Sequence, residues 1–107
     1  MKLILAIVGK DDANIVMDAL TEQKFQVTKL ATTGGFLRAG NTTLLTGVED
    51  GKVSKVIDII SQYSSKRTHI MSGAMPMDLD VNISPTFEVT TGGATIFVLD
   101  VDQYEKV

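Results

Sequence analysis

The chain has 107 residues, 44% of them hydrophobic and 21% charged, with a net charge of −3 and no cysteine. A chain of this size forms one core without disulfide or metal staples. The missing cysteine excludes disulfides, thiolate metal sites and a thiol nucleophile, and fits a reducing cytoplasm, the expected location. The acidic balance argues against a nucleic-acid polymer as partner, yet leaves room for a small anion held by local donors.

Residues 3–8, Leu-Ile-Leu-Ala-Ile-Val, form an unbroken apolar run of strand length. It ends at Gly9-Lys10-Asp11-Asp12 with no small-residue cleavage site, and falls far short of the roughly 20 residues of a membrane span. A buried central strand is therefore expected, and no membrane insertion. A helix follows, with Asp11 or Asp12 as its cap and Ile15, Val16, Ala19 and Leu20 as its apolar stripe. Residues 26–32 and 42–48, rich in valine, threonine and leucine, read as the second and third strands. Between them lies a long loop at about 33–41, far more than a hairpin needs. Asp50 suits the cap of a second helix, in which Val53, Val56, Ile57 and Ile60 follow helical spacing. Residues 67–71 form a short fourth strand, and a second loop at about 72–85 holds both prolines. Residues 87–91 and 94–101 read as two strands joined by a tight hairpin through Gly92-Gly93.

The two halves echo each other at an offset of forty residues. Val8, Val16, Asp18 and Leu20 fall opposite Val48, Val56, Asp58 and Ile60. Two strand–helix–strand units pack most simply as an α+β, ferredoxin-like βαββαβ sandwich with both helices on one sheet face, here extended by a C-terminal hairpin. Residues 1–107 then form one domain. The run 3–8 is apolar on both alternations, so the sheet face away from the helices also needs covering, and association of subunits is the economical means.

No catalytic constellation is legible. The single histidine, His69, sits within an expected strand without an obvious partner, and one histidine with no cysteine makes a transition-metal site improbable. Asp78, Asp80, Asp100 and Asp102 lack the loop pattern of a calcium site. Gly35 to Gly40 has the G-x-x-x-x-G spacing of a phosphate loop, but Asn41 stands in place of the lysine and a strand follows where a helix is required. The same segment still suits a ligand. Thr28, Thr32, Thr33, Asn41, Thr42 and Thr43 offer neutral hydrogen-bonding groups, Gly34 and Gly35 allow close backbone approach, and Phe36 offers a face for a purine. Composition alone leaves a plain hairpin equally open.

The run 28–43, TKLATTGGFLRAGNTT, resembles the signature of the PII-like cyclic di-AMP receptors of Gram-positive bacteria, and the likeness continues through GVED at 47–50 and GGATIFV at 92–98. It covers essentially the whole chain. The resemblance implies a homotrimer of ferredoxin-like (PII-like) subunits that binds cyclic di-AMP in intersubunit clefts and takes part in signal transduction without catalysis. It implies ligand contacts at Thr28, Gly35, Phe36, Leu37, Asn41 and Gly47, with Phe97 in a second tier. Phe36 and Leu37 would pack on an adenine, while Thr28, Asn41 and the Gly47 backbone supply polar contacts. Loop rearrangement would relay binding to a downstream protein partner, with no cofactor or metal. The chain departs from the family pattern at Gln26, where arginine is common, at Lys106, and in the Asp78-Leu79-Asp80-Val81 segment. The alternative is a PII-type regulator that responds to another adenine nucleotide (ATP, ADP or AMP) and contacts a protein through its long loop. A small enzyme using His69 with a carboxylate is the third reading.

Overall fold

A computed structural model describes residues 1–30, 40–65, 67–72 and 86–107, with the backbone alone at 68–72 and 86–91. The order is β1 (Lys2–Gly9), α1 (Lys10–Glu22), β2 (Thr28–Leu30), β3 (Asn41–Val48), a 3-10 turn (Asp50–Lys52), α2 (Val53–Ser64), β4 (Arg67–Ser72), β5 (Thr86–Thr91) and β6 (Ala94–Asp100). Four strands make an antiparallel sheet in the order β2-β3-β1-β6, and β4 and β5 pair separately. A central β1 between β3 and the last strand is the ferredoxin-like arrangement expected from two strand–helix–strand halves.

Alternation along the strands sorts the side chains onto two faces. Ile4, Ala6, Val8, Leu44 and Val48 form the face under the helices, packed with Ala13, Val16 and Leu20 of α1 and Val56 and Ile60 of α2. Six of the residues in the forty-residue echo are thus core, while Asp18 and Asp58 face solvent at equivalent places on the two helices. The stripe expected in α2 holds, with Val56 and Ile60 buried and Val53 and Ile57 half-buried. In α1 the buried set is Asp12, Ala13, Val16 and Leu20, and Ile15 is exposed. The helix is rotated from the expected stripe because Ala13 and Asp12 take the inner face of the first turn.

Three expectations need correction. Thr86–Thr91 pairs with Arg67–Ser72, whereas Ala94–Asp100 pairs with β1 from Lys2↔Asp100 to Val8↔Ala94. The tight hairpin through Gly92-Gly93 therefore does not form. The extra hairpin is an insertion before the sandwich's last strand, not an appendix after it. Gly92 and Gly93, at φ +82° and +94°, instead redirect the chain from the β4–β5 arm into the sheet. None of Asp11, Asp12 and Asp50, the aspartates expected as helix caps, acts as one. Gly9 precedes α1 without a side-chain cap, and Asp50 lies inside the 3-10 turn behind Glu49. Asp12 instead pairs with Arg67, and Asp50 with the N-terminal ammonium.

Candidate functional site

The sheet register places Thr28, Asn41, Gly47 and Phe97 on the same face, the one turned away from the helices. Thr28 lies opposite Leu45, Leu45 opposite Leu5, and Leu5 opposite Phe97, which makes one row across the four strands. The next row on that face is Gly47, Leu3 and Leu99. Asn41 pairs with Gly9 at the far end of β3. Gly35, Phe36 and Leu37 lie outside the described residues.

These positions are not equally close. Thr28 and Gly47 are diagonal neighbours, with about 7–8 Å between such positions in an antiparallel pair. Three strand spacings put Phe97 about 14 Å from Thr28, and six residues of rise put Asn41 about 20 Å from Gly47. Within one chain, then, the face offers a Thr28–Gly47 corner, an Asn41 corner and an apolar field leading to Phe97.

Thr28 is held by backbone pairing to β3 and by Thr46, whose buried hydroxyl donates to the Gln26 carbonyl at 2.6 Å. Gly47 is exposed, and a Cβ built there would meet nothing nearer than Met1 Sδ at 3.9 Å. The fold itself thus leaves room for a side chain at 47. Asn41 is exposed just after Gly40, whose φ of +105° favours glycine and whose carbonyl accepts the Lys10 N–H at 2.5 Å. That bond ties the start of β3 to the first turn of α1.

The field between these corners is apolar. Leu3, Leu5 and Leu45 are half-buried, Ile7 and Thr43 are buried, and Phe97 and Leu99 are 44% and 45% exposed. Sequence alternation made Leu3 and Leu5 legible as members of a second apolar face, but their row partners Leu45 and Leu99 emerge only from the register.

Two ion pairs border the Gly47 end. The Met1 ammonium lies 2.9 Å from Asp50, and Lys2 bonds to Asp100, its cross-strand partner. The hydrogen bond and charge of Asp100 raise the Lys2 ammonium above its ordinary value of 10.5. The hydrogen bond and charge of the N-terminal ammonium lower Asp50 below 3.8.

At the other end of β1, beside Gly9, Arg67 at the root of the arm donates through Nη2 to both oxygens of Asp12, at 2.8 and 2.6 Å. Sequence reading missed this pair, because no local signal joins residues 55 positions apart. His69 lies in β4 opposite Val89, and its side chain is outside the described residues, as are Asp78 and Asp80. Asp100 is engaged by Lys2. Among the described residues no group of three His, Asp or Glu side chains is arranged to hold a metal, and no helix is long and apolar enough to cross a membrane.

The fold and the chain's full length both find matches. A crystal structure of a functionally unknown protein from Pediococcus pentosaceus superposes with a TM-score of 0.77 at 42% identity, over 99% of this chain and 96% of that one. The family model for the cyclic-di-AMP receptor matches residues 1–107. From its first residue to its last, the chain belongs to the cyclic-di-AMP receptor family.

Proposed function

We propose that this protein is a non-enzymatic sensor of cyclic di-AMP whose ligand lies against the sheet face that carries Thr28 and Gly47. Membership of the receptor family over the whole chain carries the reading. It is supported by the register, which gathers Thr28, Gly47, Asn41 and Phe97 on one face. Thr28 and Asn41 would donate to or accept from the ligand, the absent side chain of Gly47 would admit it, and Phe36 and Leu37 would pack on an adenine. Stacking of this kind is worth about 1–3 kcal/mol per base.

The separation of Asn41 from Gly47 along β3 favours a cleft completed by a second copy, in which each corner meets the neighbouring subunit. An apolar field of Leu3, Leu5, Leu45 and Leu99 beside the site is the kind of surface subunits bury. A homotrimer of the PII-like type fits both features, and from the sequence resemblance we take it to act in the cytoplasm of a Gram-positive bacterium. Ligand binding would rearrange the segments around Phe36 and so change what a downstream protein meets.

Isothermal titration against cyclic di-AMP, cyclic di-GMP, ATP and AMP tests the proposal. Saturable heat with cyclic di-AMP and none with cyclic di-GMP is expected. Heat with ATP or AMP but not with cyclic di-AMP would make the protein a PII-type adenine-nucleotide regulator instead.

A further inference from the structure

One root of the β4–β5 arm and the start of β3 meet at one place, the first turn of α1. On one side, the Lys10 N–H donates to the Gly40 carbonyl, and Gly9 is the cross-strand partner of Asn41. On the other, Asp12 receives both contacts from Arg67 Nη2. A Cβ at Gly9 would stand 3.6 Å from Asp12 Oδ2, and one at Gly92 would stand 2.8 Å from Arg67 Nη2. Direct neighbours therefore run from Asn41 through Gly9 and Asp12 to Arg67 and Gly92. The Gly93 N–H donates to the Ser64 carbonyl and fixes the other root of the arm beside the end of α2.

The pair is asymmetric. The Asp12 side chain is 7% exposed and that of Arg67 is 46% exposed. Desolvating the carboxylate offsets much of its attraction to the guanidinium, so cohesion alone is a weak reason for such a pair. The guanidinium is half-exposed while the carboxylate is buried in the helix turn, so release of Arg67 into solvent would be a second arrangement open to the pair. We propose that Asp12–Arg67 is a coupling latch between the Gly40–Asn41 corner of the candidate site and the β4–β5 arm. Both are positioning residues. Whatever fixes Gly40 and Asn41 fixes the first turn of α1, hence the Asp12 carboxylate, hence the root of the arm. A simple staple would differ: breaking it would loosen the arm and leave the Gly40 junction untouched.

Amide hydrogen exchange followed by NMR on the full, ligand-free chain separates the two. In Arg67→Gln, exchange should quicken about tenfold both in β4 and β5 and at the Lys10 amide, while the Val16 and Val56 amides keep their rates. Arg67→Lys should restore most of the protection, because one nitrogen of Arg67 makes both contacts and an ammonium can replace it. Asp12→Asn supplies the same comparison if Arg67→Gln fails to fold. Faster exchange confined to the arm, with Lys10 at its wild-type rate, would overturn the latch. A second arm of the experiment rests on the cyclic di-AMP reading. The ligand should slow arm exchange in the wild type and not in Arg67→Gln. Binding without any change in the arm would also overturn the latch. Absence of binding would refute the proposed function, and the ligand-free comparison would still decide the coupling.

Discussion

At the scale of single residues, Gly47 is where the needs of the fold and those of the proposed ligand can be told apart. Its Cβ position is roomy, so Gly47→Ala should keep the wild-type unfolding midpoint. The same change should weaken cyclic di-AMP binding about tenfold, or 1.4 kcal/mol, by filling space the ligand needs. Unchanged affinity by titration calorimetry would remove Gly47 from the site. Asn41→Ala should weaken binding by about the same factor through a lost polar contact. Core positions behave oppositely: Ile60→Ala, at a site 1% exposed, should cost about 2–5 kcal/mol in urea unfolding and leave the Thr28–Gly47 corner in place. Such core residues were readable in advance because burial repeats with the helical and strand periods, as at Val16 and Val56. Asp12 was not. A local reading assigns an aspartate at a helix start to capping, and only the fold brings Arg67 to it.

Among the elements, the last strand was the one misread. Two glycines between two β-rich runs suit a tight hairpin locally, but pairing is decided by which edge is available. β6 takes the free edge of β1, and β5 takes β4. Gly92 makes that redirection possible, since its φ is positive and a Cβ would lie 2.5 Å from the Ser65 carbonyl and 2.8 Å from Arg67 Nη2. Gly92→Ala should therefore lower stability by at least about 1–3 kcal/mol, the usual cost of such backbone strain, in equilibrium unfolding. The strand ends carry a pH signature. Asp50 has a lowered folded pKa, so its pairing stabilises the fold above 3.8 and is lost as pH falls through the lowered value. Lys2 has a raised one, so its contribution is present below 10.5 and is lost as pH rises through the raised value. Thermal midpoints of Asp50→Asn should accordingly fall less than wild type on acidification, with no difference between the two near neutral pH beyond a constant offset.

For the whole molecule, the second sheet face is where the proposed assembly would form. Leu3 and Leu5 announce it in sequence, but its extent depends on the partners that the register supplies. If the chain forms the proposed trimer, placing a charge in that field, as in Leu99→Asp, should shift the mass in sedimentation equilibrium from trimer toward monomer. A wild-type chain that sediments as a monomer would leave the face without the proposed use. The expected contacts at Gly35, Phe36 and Leu37 lie outside the described residues; residue chemistry alone left them undecided, because paired glycines and one aromatic fit a plain hairpin equally well, and only the family resemblance singled them out. The most direct test of the central claim is a crystal structure of the chain with cyclic di-AMP bound. It should place the ligand between two subunits against Thr28 and Gly47, with an adenine on Phe36. A ligand seated on the helix layer, or on one subunit away from that face, would contradict it.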